Sequence, residues 1–193
     1  YMIKKIDFYF DFISPYTYLA YKKIQSLPND IKINYKPILL GGLHKLQGIT
    51  APAFINSKLK NMKNDCELIA KKNKFNFKWN SKFPLNSIII MRGFFCIDSN
   101  IKDQYMDAIF NAYWKDNLDI SNKEILISLL EKFRIDINSF FEAIKDPITK
   151  GKLKNTTMEA HEKNVFGAPT FVVNNKIFWG QDRLNYALDE YNS

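Results

Sequence analysis

The chain has 193 residues, enough for one domain or one domain carrying a large insertion. Hydrophobic residues make up 46%, enough for a real core, and glycine and proline number 7 each, which argues against a disordered chain. The 28 Lys and Arg outnumber the 20 Asp and Glu to give +8, but the positive charge is spread along the whole chain. Its densest clusters, at 58–63 and 71–74, alternate with apolar residues at helical spacing and read as a solvated helix face, not as a nucleic-acid surface. Such a basic chain suits an anionic small-molecule substrate. Cys66 and Cys96 belong to no Cys-x-x-Cys pair; both fall in apolar helical patterns and read as buried structural thiols. No metal site is expected. No apolar run reaches the roughly 18 residues of a membrane span. Asp7 and Asp11 interrupt the start, so neither leader nor membrane anchor is expected there, and the protein is expected in the cytoplasm.

Residues 6–12 alternate, with Ile6, Phe8, Phe10 and Phe12 on one face, which predicts a strand. Pro15 then suits a first helical turn, and Pro28-Asn29-Asp30 ends that helix. A second strand is predicted over 31–40, with Gly41-Gly42 as its stop. Strand, helix and strand imply a parallel pair with a right-handed crossover. Helical patterns follow over 54–74, 84–100, 101–117, 122–133, 137–145 and 147–164. Ser121 and Glu124 spell a capping box, and Asp146-Pro147 an N-cap followed by proline. After Gly167 strand character returns over 169–173. Asn174-Asn175 signals a turn into a hairpin over 176–179, and Asp182 is placed to cap a last helix over 183–191. The order is that of a thioredoxin-like α/β fold with a large all-helical insertion. Residues 1–52 and 165–193 would form the thioredoxin-like part and 53–164 the inserted helical domain.

In such a fold the first strand-to-helix junction presents a side chain to the free N–H groups and positive dipole end of a helix, where an anion is stabilised. Where related junctions carry Cys-x-x-Cys, this chain has Ser14-Pro15-Tyr16-Thr17. A serine hydroxyl is a poor nucleophile without a base, but it can donate a hydrogen bond to a thiolate brought from elsewhere; an ordinary N-cap role is compatible with this. In Gly167-Ala168-Pro169-Thr170-Phe171, a cis bond at Pro169 would leave the backbone of Ala168 able to pair with a peptide. The alternative is a trans proline at a strand start. Asp182 can bind an ammonium group, and Arg183 a carboxylate. Together these groups suit a small peptide with a thiol, an amino group and carboxylates, a description that glutathione meets. His44 is read as lying in a loop near the site with a possible substrate contact, and His161 as a surface residue.

Several stretches, in this order, resemble the 2-hydroxychromene-2-carboxylate isomerase family, a relative of kappa-class glutathione transferases and DsbA-like thiol oxidoreductases. They are Asp11-Phe12-Ile13-Ser14-Pro15-Tyr16-Thr17-Tyr18-Leu19-Ala20, Leu39-Leu40-Gly41-Gly42, Phe83-Pro84-Leu85-Asn86-Ser87, Gly167-Ala168-Pro169-Thr170-Phe171 and Gly180-Gln181-Asp182-Arg183-Leu184. The resemblance implies a homodimer with glutathione as cofactor. It implies that Ser14 contacts the glutathione sulfur, with Pro15 and Tyr16 beside it, and that Ala168, before Pro169, pairs with the cysteinyl part. Asp182 and Arg183 would lie near the γ-glutamyl end, and Lys58 near a glycyl or substrate carboxylate. The expected activity is glutathione-dependent isomerisation of an aromatic or conjugated carboxylate. The alternatives are a kappa-class-like glutathione transferase or peroxidase and a non-catalytic DsbA-like peptide-binding module; a thiol–disulfide oxidoreductase is disfavoured by Ser14 and Thr17. The chain departs from the family pattern at Gly48-Ile49-Thr50-Ala51-Pro52, which lacks an Asn and a Pro pair, and at Asn61, where a tyrosine is common.

Overall fold

A computed structural model describes residues 4–193; the first part of the segment expected to carry no leader, 1–3, lies outside the described residues. Strand β1 is Ile6–Phe10. Its alternation has the predicted effect: Ile6, Phe8 and Phe10, with Phe12 just beyond, enter the main core. Tyr9 enters a smaller cluster with Ile38, Leu43, Ala160 and Val165. Helix α1, Pro15–Ile24, crosses to β2, Ile33–Pro37, which runs parallel to β1 with Ile6 opposite Ile33 and Phe10 opposite Pro37.

The second strand is shorter than predicted because helix α2, Leu40–Gln47, begins where the strand was expected to end. Gly41 and Gly42 are therefore helical and are not a strand stop. The left-handed residue that terminates this helix is Gly48, with φ 66°. His44 consequently belongs to a helix and is buried, not in a loop.

Helices alone follow: α3, Asn56–Asn73; α4, Ile88–Gly93; α5, Lys102–Trp114; α6, Lys123–Glu131; α7, Ile137–Ala143; and α8, Pro147–Glu162. The lysines of α3 lie on its solvated side, while Met62, Cys66 and Ala70 are buried. The helix predicted over 84–100 is shortened to α4, because the Asn86 carboxamide oxygen accepts the Ile88 N–H at 3.0 Å and fixes a start there, and the helix tightens into a 3-10 turn at Phe94–Cys96. The capping box at Ser121 is not formed. Asn122 caps α6, accepting from the Glu124 and Ile125 N–H groups, and the Ser121 hydroxyl donates to Asp119 instead. Asp146 caps α8 through the Ile148 N–H at 2.7 Å, as its sequence indicates.

Strand β3, Thr170–Val173, runs antiparallel to β1, and β4, Lys176–Trp179, antiparallel to β3 across a turn in which Asn174 and Asn175 have positive φ. The sheet order is β2-β1-β3-β4, and α9, Leu184–Asn192, closes the chain. Asp182 makes no cap for α9; Arg183 occupies the position before it without a side-chain cap bond. This is the thioredoxin-like arrangement with a helical insertion between β2 and β3.

Sheet and insertion share one aromatic core. Phe8 stacks on Phe171 at 5.0 Å, and Phe12 meets Phe110 of α5 edge-on at 4.7 Å, as Tyr21 of α1 stacks on the same ring at 4.7 Å. Each such pair adds about 0.5–1.5 kcal/mol to the burial itself, so the inserted helices are bound to the sheet and not merely tethered to it. Among the described residues no helix is long and apolar enough to cross a membrane.

Candidate active site

The chain leaves β1 through Asp11, Phe12 and Ile13 and enters α1 at Ser14, and each step of that exit is held. The Ser14 N–H donates to the Asp11 carbonyl at 3.1 Å. The indole N–H of Trp114 donates to the buried Phe12 carbonyl at 2.9 Å. The Ser14 backbone is extended, with φ −83° and ψ 118°, and its Oγ accepts the Thr17 N–H at 3.2 Å, so Ser14 is a true N-cap. Pro15 holds the first helical position.

The Ala168–Pro169 bond is cis and brings the Ala168 carbonyl over this junction. The Ser14 hydroxyl donates to that carbonyl at 3.2 Å. The Pro169 carbonyl in turn accepts the Gly180 N–H at 3.0 Å, which ties the β4–α9 loop, with Gln181, Asp182 and Arg183, to the same rim. That loop is also gripped from α1, where Lys23 donates to the Gln181 side-chain oxygen at 2.6 Å.

These elements surround a cavity of about 1140 Å³. Ser14, Pro15 and Tyr16 line it from α1, His44 from α2, and Lys58 from α3. Ala168 and Pro169 line it beside Ser14, and Asp182 and Arg183 at the rim. Every residue nominated from the sequence thus faces one space. Asp182 and Arg183 are exposed, 3.3 Å apart, and Arg183 also lies over the Tyr186 ring. Lys58 is exposed on α3. His161 is elsewhere, half-buried on α8 with its Nδ1 3.4 Å from the Gln47 amide, so it is less of a surface residue than its lysine-bearing surroundings suggested.

The ionisable groups divide clearly. Burial pushes the Cys66 thiol well up, and Cys96 upward as well, so neither is a thiolate near neutral pH. The Tyr16 hydroxyl donates to Asp65 at 2.7 Å, and burial followed by that bond keeps the phenol protonated. Burial lowers His44, which is a neutral imidazole, and its Nδ1 is buried without a hydrogen-bond partner. A thiolate at Ser14 therefore has to come with a ligand.

Asp11 opens the first of the resembling stretches, but nothing in the sequence assigns it to the site. Asp11 is fully buried, lines the cavity, and accepts from Ile13 and Leu40; burial raises its carboxyl to about 6 against those N–H groups and the Ser87 hydroxyl. Asp65 was also missed, although Lys58, Asn61 and Asp65 follow helical spacing and share the cavity face of α3. The apolar part of the wall includes Leu39, Phe54, Phe83 and Trp179, drawn from four separate segments.

An extended-chain junction capped by serine, opposite a cis-proline and facing a cavity lined in part by the helices α2 and α3, defines a thioredoxin-fold site without its thiols. The DSBA-like thioredoxin domain family matches residues 5–192. A 2-hydroxychromene-2-carboxylate isomerase from Sphingobium xenophagum is 30% identical, covering 98% of this chain and 98% of its own. A solved structure of a 2-hydroxychromene-2-carboxylate isomerase superposes with a TM-score of 0.88 at 26% identity, over 97% of this chain and 94% of that one. Human glutathione S-transferase kappa 1 is 23% identical over 94% of this chain and 88% of its own. The chain belongs to the DSBA-like thioredoxin family and, within it, to the 2-hydroxychromene-2-carboxylate isomerase family.

Proposed function

We propose that this protein is a glutathione-dependent isomerase of the 2-hydroxychromene-2-carboxylate isomerase type, acting on an aromatic or conjugated carboxylate. The observation that carries this reading is the Ser14 hydroxyl at the N-terminus of α1, 3.2 Å from the Ala168 carbonyl, in a chain whose own cysteines are both protonated, Cys66 buried and Cys96 only half-buried where the sequence suggested a buried thiol. The donor set fits glutathione: a hydroxyl and helix N-terminus for sulfur, the Ala168 backbone for a peptide, Asp182 for an ammonium, and Arg183 for a carboxylate. Bound there, glutathione would supply a nucleophilic thiol sulfur that is returned unchanged at the end of the isomerisation.

The residues of the chain do the rest. Ser14 and the first-turn N–H groups of α1 favour the ionised thiol. Lowering a thiol from about 8.5 to about 6.5 takes about 2.7 kcal/mol and makes the thiolate the main form at neutral pH. Pro15 and Tyr16 form the wall next to the sulfur. Lys58 holds the substrate carboxylate, and His44, a neutral imidazole in the cavity wall, is a substrate contact. The apolar wall excludes water from the reacting face. The full-length relationship to named isomerases supports this reading.

A kappa-class-like glutathione transferase is the second reading. The cavity-lining residues Ile49, Thr50 and Asn61 leave room for it, because these departures from the family pattern fall on the substrate side and bear on the aromatic isomerase substrate more than on the glutathione site. Glutathione is regenerated in the first case and consumed in the second. Both rest on one experiment: calorimetric titration of reduced glutathione into wild type and Ser14→Ala, with ultraviolet detection of bound thiolate at about pH 6.5. Binding with a thiolate signal that Ser14→Ala abolishes is expected. No binding to the wild type at millimolar glutathione would refute the reading.

A further inference from the structure

The Ser14 hydroxyl has one proton and is already using it. Its oxygen accepts the Thr17 N–H at 3.2 Å while its hydrogen goes to the Ala168 carbonyl at 3.2 Å. Ser14 is only 5% exposed, so water is a poor substitute for either partner. Among the hydrogen bonds of the described residues outside helices and ladders, Ser14 is the one donor to that carbonyl. A thiolate near Ser14 therefore competes with Ala168 for a single proton.

Resting on the glutathione reading above, we infer that Ser14 and Ala168 form a donor exchange that makes thiol ionisation conditional on an amide N–H in the ligand, two carbons from its sulfur. A cysteinyl peptide supplies that N–H to the Ala168 carbonyl. The Ser14 hydroxyl then rotates about its Cβ–Oγ bond and donates to the sulfur, while its oxygen keeps the Thr17 N–H. The thiol proton leaves to solvent, Ser14 keeps its own, and nothing is oxidised or reduced. Without the amide, turning Ser14 toward sulfur strands the Ala168 carbonyl in a half-buried position, and that loss opposes the charge-assisted bond to the thiolate. The device selects cysteinyl peptides over simple thiols at the level of activation, not only of binding.

The test uses the wild-type protein with two ligand pairs that differ only by N–H against O. One pair is glutathione and its analogue with an ester in place of the γ-glutamyl–cysteine amide. The other is N-acetylcysteamine and 2-mercaptoethyl acetate. Calorimetry reads binding, and ultraviolet absorbance reads thiolate at saturation as a function of pH. The amides are expected to ionise, and each ester to bind with its thiolate fraction at about pH 6.5 reduced at least tenfold. Esters that ionise as fully as the amides would overturn the inference. So would an ester that loses binding altogether while its amide binds, because the amide would then hold the ligand and not govern its ionisation. Failure of the underlying glutathione reading is distinct, since then glutathione itself gives no titration.

Discussion

The carboxylate of Asp11 accepts the Leu40 N–H at 2.9 Å through one oxygen and the Ile13 N–H at 3.1 Å through the other, joining the first turn of α2 to the approach to Ser14. Two walls of the cavity are thus pinned by one fully buried acid. Burial raises this group from its ordinary value to about 6, so the native state holds a proton that the unfolded chain has already lost. Stability from this group is therefore fully present below about pH 4 and is lost as the pH rises through about 6. The expected size is about 3 kcal/mol between pH 4 and 7. Urea unfolding of the wild type and Asp11→Asn across that range should show a stability difference that changes with pH by about this amount. A difference constant with pH would contradict the burial argument.

Trp114 is an equally specific link between the inserted helices and the site. Its ring is fully buried, and its N–H is the donor to the Phe12 carbonyl, two residues before Ser14. Trp114→Phe leaves that carbonyl unpaired and removes ring volume, which should cost about 2–4 kcal/mol in urea unfolding. Because Phe12 leads into the cap, glutathione affinity should fall as well. A loss below about 1 kcal/mol would mean that another donor replaces the indole.

The alternation of Ile6, Phe8 and Phe10, proline at the first position of α1, and the Asn174-Asn175 turn were legible because each is a local signal that burial then reinforces. Gly41-Gly42 misled for a local reason too. Glycine predicts a break, yet Leu39 and Leu43 pack the helix that contains the pair, Leu43 fully buried, and packing outweighs the cost of about 1 kcal/mol per glycine. Asn122 took the cap expected of Ser121 because Ser121 was engaged by Asp119. Ser14, Ala168 and Asp182 were legible as candidates because each stands at a junction that the strand–helix order defines, and all three line the cavity. Asp11 gave no such signal. A lone acid before an aromatic reads as the polar face of a strand, and only the return of Leu40 to its side makes it a buried acceptor.

Lys58 projects from α3 into the cavity while staying in contact with solvent. If it holds a substrate carboxylate, Lys58→Met should raise KM about tenfold or more and leave kcat within about twofold, since a charge-assisted hydrogen bond contributes about 1.5–3 kcal/mol. Raising the ionic strength should raise KM for the wild type more than for the variant. Equal salt dependence in the two proteins would assign the carboxylate to another cation, with Arg183 the next to test.

Gly180 has φ 122°, a conformation L side chains rarely adopt, and a Cβ there would meet Asp182 Oδ1 at 2.7 Å. The same residue donates its N–H to the Pro169 carbonyl and accepts the Arg183 N–H at 3.2 Å. Gly180→Ala should therefore act twice, destabilising the fold by about 1–3 kcal/mol and displacing the Asp182 carboxylate from the rim. The two effects separate in a double-mutant cycle. Asp182→Ala in the Gly180→Ala background removes the colliding oxygen, so part of the stability is recovered, whereas glutathione affinity stays low. The expected coupling in stability is at least about 0.5 kcal/mol. Strict additivity would place the whole cost in the backbone angle and none in the contact with Asp182.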